Sequence, residues 1–382
     1  MSKELVITKI NRNDTEYLAC GLFEDKKAVE LRLERSDRNS ILGNIYVGQV
    51  ENLVKNINAA FIRIAPDCLC YYDQKIPVHP GKPLVVQVSK DAVNRKNPCV
   101  TTNLSFTGKY LVLTSENRIL GFSSKLPKDV RPAIRKWLEP LLDGSYGVVV
   151  RTNAAYAQKN DILNEFAFLK KRLLHVRDAG EHRTAYTLLD EALPFYIEAI
   201  RDVYSDDLNR IVTDEKECYD KINSYLESYQ TADLDKLELY DDKLLALNKL
   251  FSIETVLDKA LKEQVWLPSG GFLVIQQTEA FVSIDVNSGR YVSKKNAQES
   301  YRKVNLEAAQ EIARQLRLRN LAGIILVDFI NLESEDHRQE LLNVFQKHCR
   351  KDPIKTKVID MTPLNIVEVT RQRSRKALRE EL

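Results

Sequence analysis

Two carboxylates and one amide stand near the ends of predicted strands in the last third of the 382-residue chain. Asp285 and Asn287 belong to the stretch "FVSIDVNSG", and Asp328 ends the apolar run "GIILVD". Burying an ionised carboxylate is costly unless a cation or a hydrogen-bond donor pairs with it. Each of the three residues alone is more typical of a turn or a cap, whereas all three at one sheet edge would indicate a site for a hard cation.

The pattern around these residues predicts that they meet. In a strand, alternate side chains point to opposite faces, which places Asp285 and Asn287 together on the face opposite the valines and isoleucine. The sequence predicts a helix from residue 296 to residue 319, and "GIILV" is typical of a fully buried strand parallel to the first. Strand, helix and strand form a right-handed crossover, so we expect Asp285 and Asp328 to converge where the two strands end.

Magnesium suits this set of side chains. Mg²⁺ takes oxygen ligands, keeps several waters and is typically held by one or two carboxylates together with a substrate phosphate. Such a site favours phosphodiester hydrolysis, because the ion activates a water and stabilises charge on the phosphate oxygens. The 6 cysteines and 5 histidines are scattered without zinc-ligand spacing, so we do not expect a zinc site within the chain.

The composition indicates a globular chain of several parts. The hydrophobic fraction is 44%, which allows a large core, and 57 basic against 54 acidic residues leave a net charge of only +3. Binding to nucleic acid must therefore depend on local basic patches. The N-terminus has no signal-peptide pattern and no segment is apolar enough for a membrane span, so we expect a cytoplasmic protein.

The order of strand and helix patterns predicts a mixed α and β architecture. A strand meander comes first, "NIYVGQVENLVKNINAAFIRI" begins a small antiparallel barrel, and residues 161–177 are predicted to form a helix. The hairpin "VWLPSGGFLVIQQ" precedes the carboxylate strands, and "VTRQRSRKALREEL" is predicted to be a basic helical tail. We interpret that tail as a solvated helix face or as an RNA contact.

Three segments closely resemble the catalytic core of the ribonuclease E/G family of bacterial endoribonucleases: "LPSGGFLVIQQTEAFVSIDVNSG", "NLEAAQEIARQLRLRNLAGIILVDFI" and "TRQRS". The resemblance implies an α+β multidomain fold. A ribonuclease-H-like domain carries an inserted S1 (OB) barrel and a 5'-sensor α/β subdomain, and a DNase I-like α/β catalytic subdomain follows. The implied boundaries are 1–36 and 198–262 for the ribonuclease-H-like domain, 37–102 for the barrel, 103–197 for the sensor and 263–382 for the catalytic subdomain.

The resemblance also assigns the catalytic residues. It implies that Asp285 and Asp328 bind Mg²⁺. It further implies that Asn287 helps to position the scissile phosphate or the attacking water.

In the barrel, the resemblance implies that Phe61 and Tyr71 stack on bases and that Lys96 contacts RNA. A lone aromatic residue in a strand is more often part of a core, and a lone lysine is more often a solvated charge. Base stacking is worth about 1–3 kcal/mol per base, so two stacks contribute roughly 2–6 kcal/mol. Phosphate contacts elsewhere must therefore add affinity.

A pocket for the 5' end of the RNA is implied by the segments "LSFTGKYLV" and "VVVRTNA". Position by position, the resemblance assigns Gly108, Val112, Arg151 and Thr152 to a 5'-monophosphate. A guanidinium fork and a hydroxyl at a strand end also suit a phosphate dianion on physical grounds.

The resemblance implies a Mg²⁺-dependent endoribonuclease that cuts single-stranded, AU-rich RNA in mRNA decay and rRNA processing. It implies a preference for 5'-monophosphorylated substrates and products with a 5'-phosphate and a 3'-hydroxyl. The chain has no Cys-x-x-Cys zinc link, so we expect a monomer or a weak homodimer rather than a tetramer. Two alternatives stay open: a catalytically silent RNA-binding protein that uses the barrel and the phosphate pocket, and a DNA nuclease with similar metal chemistry.

Overall fold

The computed structural model describes residues 2–37, 40–73, 76–92, 97–203, 208–289, 297–373 and 375–382. The chain divides into two compact units. The first unit comprises Met1–Arg38 and Ser205–Leu382, and the second comprises Asn39–Tyr204. Within the described ranges, no helix has both the length and the hydropathy needed to cross a bilayer.

The strands are numbered along the chain as β1 Lys3–Arg12, β2 Thr15–Glu24, β3 Lys27–Arg35, β4 Ile45–Val54, β5 Ala59–Ala65, β6 Cys68–Asp73, β7 Pro83–Lys90, β8 Cys99–Thr101, β9 Ser105–Thr107, β10 Leu111–Thr114, β11 Leu120–Phe122, β12 Gly147–Val150, β13 Leu188–Asp190, β14 Leu208–Thr213, β15 Leu237–Leu239, β16 Gln264–Trp266, β17 Phe272–Gln277, β18 Phe281–Asn287, β19 Gly323–Asp328, β20 Thr356–Met361 and β21 Ile366–Arg371. The α-helices are α1 Arg131–Leu138, α2 Lys159–His182, α3 Phe195–Asp202, α4 Lys216–Tyr229, α5 Leu247–Leu250, α6 Ile253–Leu261, α7 Ala297–Leu318 and α8 Glu335–Cys349.

The first unit contains a five-stranded sheet with the order β15-β14-β1-β2-β3. The predicted meander forms its antiparallel part, and β14 and β15 extend it in parallel. Apolar residues of this sheet pack against α5 and α6 in one core, to which Leu318 at the end of α7 also belongs. The sheet thereby anchors the helix that precedes the second carboxylate strand.

The second sheet of this unit has six strands in the order β16-β17-β18-β19-β21-β20. The predicted hairpin is confirmed as β16 and β17, and β18 and β19 run parallel on either side of α7 in the chain. The prediction that "GIILV" is fully buried is wrong. Helices α7 and α8 pack on one face of the sheet, so Ile324, which is 55% exposed, and the half-buried Leu326 lie on the other face.

The C-terminal segment also differs from its prediction as a basic helical tail. The chain forms strand β21 and then only a short 3-10 helix, Leu378–Glu380. Arg371 is 3% exposed and pairs with Asp352 at 2.7 Å, and Leu378 is fully buried. Ion pairing and core packing therefore decide the path of this segment, and Arg371 is not on a solvated helix face.

The second unit contains the predicted barrel. Five strands close in the order β4-β5-β6-β8-β7, because β7 also pairs with β4. A wholly antiparallel barrel was predicted, and this detail is wrong, since β6 and β8 pair in parallel. The barrel encloses its own apolar core.

Beside the barrel, the second unit has a four-stranded sheet in the order β11-β12-β10-β9. The predicted helix is confirmed as α2, and its apolar stripe is buried against this sheet: Ile162, Phe166, Leu169 and Leu173. Strand β13, which follows α2, pairs with β4 of the barrel. Barrel and sheet therefore belong to one continuous piece of structure.

Candidate active site and phosphate pocket

Asp285 and Asp328 lie side by side on the exposed face of the six-stranded sheet. They are register partners across the parallel strands β18 and β19, and strands in a sheet lie about 4.8 Å apart. Both side chains are exposed, while the alternate residues of β18 are buried in the core below: Val282, Ile284 and Val286. The predicted convergence of the two carboxylates is confirmed.

The two carboxylates repel one another. Partial burial and the charge of Asp285 raise the pKa of Asp328 above its ordinary value. A like charge nearby disfavours ionisation, and a bound cation reverses that effect. A bound cation would therefore stabilise the pair.

Asn287 holds one of these carboxylates in place. Its Nδ2 donates a hydrogen bond of 2.7 Å to Oδ2 of Asp285. Close backbone contacts fix the end of this strand. A Cβ on Gly271 would lie 2.8 Å from the carbonyl oxygen of Asn287. A Cβ on Gly289 would clash with the carbonyl oxygen of Gly270. Gly289 also has a φ of +58°, a backbone conformation that favours glycine.

The oxygen atoms of these three side chains suit a hard divalent cation. Carboxylate and amide oxygens are the ligands that Mg²⁺ takes, and one or two carboxylates suffice when waters and a substrate phosphate complete the shell. No group of three or more His, Cys, Asp or Glu side chains in the described part of the chain could hold a metal. Asp285 and Asp328 supply two carboxylates of the chemistry that the predicted magnesium site requires.

On the barrel, Phe61 and Tyr71 are register partners across β5 and β6. Their rings form an edge-to-face pair with centroids 6.2 Å apart, and both side chains are half-buried on the outer side of the barrel wall. Phe61 is therefore not a core residue. Lys96, the third residue assigned to RNA contact, lies outside the described residues.

Arg151 follows β12 and is tightly held. Its Nη1 donates to the carbonyl oxygen of Gly108 at 2.5 Å, and its Nη2 donates to Oδ1 of Asp202 at 2.7 Å. Arg201 donates to the same carboxylate at 3.0 Å. Although burial opposes it, the two guanidinium groups lower the pKa of Asp202 to about 2.

The other two predicted phosphate residues lie on the same sheet. Val112 on β10 is the register partner of Val149 on β12, two residues before Arg151. Thr152 Oγ1 lies 3.0 Å from the hydroxyl of Ser123. The sheet thus brings all four predicted residues to one region of the second unit.

A carboxylate from α2 shapes the turn beside Arg151. Glu165 accepts hydrogen bonds of 2.7 to 2.8 Å from the N–H groups of Lys109, Tyr110 and Leu111. Burial raises the pKa of Glu165, while the three donors favour its charged form. A Cβ at Gly108 would clash with this carboxylate, so glycine is required there for the close approach.

A model of the ribonuclease E/G family matches residues 105–374 of the chain. Ribonuclease G of Escherichia coli K12 is 32% identical over 99% of this chain and 81% of that protein. The chain belongs to the ribonuclease E/G family. Ribonuclease G of Haemophilus influenzae is 30% identical over 98% of this chain and 80% of its own length, and ribonuclease E of Synechocystis is 32% identical over the whole chain and 58% of its own length.

Membership of the ribonuclease E/G family confirms the predicted family and the predicted enzyme class, endoribonuclease. Sequence reasoning missed Glu165 and Asp202, which bind the backbone and the guanidinium of the predicted pocket. A signal existed for Glu165, because it follows Ile162 by three residues and precedes Phe166, on the buried stripe of α2. Asp202 carried no such signal, since Arg151 lies 51 residues away.

Proposed function

We propose that the protein is a Mg²⁺-dependent endoribonuclease that cuts single-stranded, AU-rich RNA in mRNA decay and rRNA processing in the cytoplasm. The observation that carries the proposal is the register of Asp285 and Asp328 on neighbouring strands, with Asn287 bonded to the first carboxylate. Ribonuclease G and ribonuclease E relatives along nearly the whole chain support the substrate class.

Asp285 and Asp328 would hold the Mg²⁺ ion. When bound, the ion supplies an activated water and neutralises charge on the phosphate oxygens. Asn287 orients the carboxylate of Asp285, and among the described residues its amide oxygen has no hydrogen-bond partner and would meet a water or a phosphate. Asp328 must be ionised to act, and its raised pKa means that it is protonated at a higher pH than an ordinary aspartate. When water attacks the phosphorus and the 3' oxygen leaves with a proton, the products carry a 5'-phosphate and a 3'-hydroxyl.

RNA binding is assigned to the barrel as well as to the sheet. Phe61 and Tyr71 offer two half-buried rings for bases, and Lys96 adds a cation for a phosphate. Stacking on both rings gives roughly 2–6 kcal/mol, in the millimolar range. The barrel therefore guides the strand, and the remaining affinity comes from phosphate contacts elsewhere.

The pocket of Gly108, Val112, Arg151 and Thr152 is proposed to favour a 5'-monophosphate. Arg151 uses one N–H on Gly108 and another on Asp202, and the rest of its donors suit a phosphate oxygen. Because its charge is already paired, the pocket adjusts substrate preference and does not drive cleavage.

The domain assignment follows the same proposal. The five-stranded sheet supports a ribonuclease-H-like domain at 1–36 and 198–262, and the closed barrel supports the S1 assignment at 37–102. The four-stranded sheet supports the sensor at 103–197, and the six-stranded sheet supports a DNase I-like subdomain at 263–382. Helix α3 crosses the proposed boundary at residue 198 and brings Asp202 to the pocket of the second unit. The chain is proposed to act as a monomer or a weak homodimer.

The test is an assay with a 5'-monophosphorylated, AU-rich single strand, using the wild type, Asp285→Asn and Asp328→Asn. We expect the wild type to cut with Mg²⁺ and to stop with EDTA, and both variants to bind RNA but lose at least about a thousandfold in rate. Asp360→Asn, an exposed aspartate on β20, is the matched control and keeps its activity.

Each alternative has its own outcome in this assay. A wild type that binds RNA without cutting it identifies a silent RNA-binding protein. Cleavage of single-stranded DNA in preference to RNA identifies a DNA nuclease. Variants that cut at the wild-type rate refute the assignment of the carboxylates.

A further inference from the structure

Two aromatic rings lie next to the carboxylate pair on the same sheet face. Trp266 on β16 is 65% exposed, and its ring is 5.3 Å from that of the half-buried Phe272 on β17, at an interplanar angle of 55°. Single exposed hydrophobic residues are common on protein surfaces and need no explanation. A pair of rings in register with functional residues is different.

The register places this pair one row from the carboxylates. Trp266 pairs with Phe272, and Phe272 pairs with Asn287, so the three form one row across β16, β17 and β18. Asp285 and Asp328 form the next row. Phe272 and Asp285 are diagonal neighbours, which lie roughly 7–8 Å apart in a sheet, within reach of an aromatic side chain.

The charge of this face favours a contact through bases. In the described part of the face, Glu368 adds a third carboxylate beside Asp285 and Asp328. Lys357, a cation on the same face, lies at the far edge of the sheet on β20, away from β16. These neighbouring carboxylates repel the phosphate backbone, whereas stacking on an aromatic ring requires no charge and accepts every base. An RNA strand with its phosphate at the carboxylate pair can therefore be held on this face by its bases.

We propose that Trp266 and Phe272 form a base-stacking subsite for the nucleotide next to the scissile phosphate. This subsite rests on the proposed function, since it needs the phosphate to lie at Asp285 and Asp328. The stack fixes the strand on the β16 side of the cut. Trp266, as the more exposed ring, makes the larger contact.

The fluorescence of Trp266 measures this contact directly. The chain has 2 tryptophans, so Trp137→Phe leaves Trp266 as the single indole. In that background, with Asp285→Asn and Asp328→Asn to prevent cleavage, single-stranded RNA is titrated while fluorescence is recorded. We expect quenching of Trp266 on binding.

A second arm uses RNA with one abasic nucleotide moved along the strand. An abasic position within two nucleotides of the cleavage site, and Trp266→Ala, should each weaken binding about fivefold or more, the lower range for one stacked base. The two changes together should weaken it no more than either alone, because both remove the same stack. Trp266→Phe should restore most of the affinity.

The matched control is Tyr229→Ala. Tyr229 is 49% exposed and forms a similar tilted pair with Tyr225, with centroids 5.2 Å apart. It lies on α4, which packs beside the five-stranded sheet and not on the six-stranded one. This variant should bind RNA as the wild type does. An equal loss in Tyr229→Ala and Trp266→Ala would refute the subsite.

The remaining outcomes separate the subsite from the proposed function. Bound RNA without quenching, or losses that add when the two changes are combined, overturns the stack even if the wild type cuts RNA. A Trp266→Ala chain that binds RNA normally but changes from dimer to monomer in light scattering shows that the rings pair two copies of the chain. A wild type that does not cut RNA refutes the proposed function, whereas quenching and abasic coupling report the stack separately.

Discussion

The carboxylates of the open sheet face and those of the phosphate pocket are held in opposite ways. Asp285 and Asp328 stand side by side, and within the described residues the charge that acts on Asp328 is the like charge of Asp285. Asp202 instead lies between two guanidinium groups, and Glu165 accepts three backbone N–H groups.

This difference separates two kinds of site. Two carboxylates that repel each other are stabilised when a cation binds, so a bound cation would balance the negative charge of the sheet face. In the pocket, the guanidinium of Arg151 already donates hydrogen bonds to Asp202 and to the carbonyl oxygen of Gly108. A phosphate must therefore bind to the donors of Arg151 that remain. This difference agrees with the proposal that the sheet face carries the catalytic metal site and that the pocket adjusts the preference for one kind of RNA end.

The largest expected effect on stability tests the balanced pocket. Asp202→Ala removes the acceptor of Arg151 and Arg201, and Arg201 is only 7% exposed. Arg201 also contacts Glu198 at 3.4 Å, but loss of the closer carboxylate from this mostly buried guanidinium should lower the free energy of unfolding by about 1.5–3 kcal/mol. Urea denaturation in a Trp266→Phe background, followed by the fluorescence of Trp137 in the same unit, measures the loss.

Asp143→Ala is the control for that variant. Asp143 pairs with Lys170 at 3.1 Å on the surface of the same unit, and its side chain is 48% exposed. An exposed ion pair contributes about 0.2–1 kcal/mol. Equal losses in the two variants would contradict the view that Asp202 is the structural anchor of the pocket.

A smaller effect is expected on substrate preference. Arg151→Ala should lower the ratio of kcat/KM for 5'-monophosphate over 5'-hydroxyl RNA by about tenfold, the value of one charge-assisted contact. Cleavage of the 5'-hydroxyl strand should stay near the wild-type rate. Arg172→Ala, which breaks a bidentate pair with Asp190 elsewhere in this unit, is the control. Equal slowing of both substrates by Arg151→Ala would remove the sensor role.

The smallest effect tests the repelling pair. Because folding raises the pKa of Asp328, its ionised form costs stability above that pKa, and the cost disappears as acid protonates the group. Without divalent cations, Asp328→Asn should therefore unfold at a slightly higher temperature than the wild type at pH 7, and at the same temperature in acid. Asp360→Asn should show no such gain. A lower unfolding temperature for Asp328→Asn at pH 7 would argue against repulsion.

The sequence predicted those features that follow from local periodicity. The alternation in "FVSIDVNSG" separated Val282, Ile284 and Val286 from Asp285, and the parallel crossover brought Asp328 beside it. The stripe on α2 was predictable for the same reason.

Features that depend on distant partners were not predictable. Ile324 belongs to an apolar run, but α7 and α8 cover a single face of the sheet, and the run does not reveal this. Arg371 lies in a basic segment, yet it is buried because it forms an ion pair with the buried Asp352. Trp266 and Phe272 became a pair with functional neighbours only through the register of three strands.

The most direct test of the central claim is a calorimetric titration of the chain with Mg²⁺, and with Mn²⁺ as a second oxygen-seeking ion. We expect a site in the wild type whose affinity falls at least about tenfold in Asp285→Asn and in Asp328→Asn and is unchanged in Asp360→Asn. Binding in the wild type should also weaken as the pH falls through the raised pKa of Asp328. Wild-type Mg²⁺ affinity in both Asp285→Asn and Asp328→Asn would contradict the assignment of these two carboxylates to the metal site.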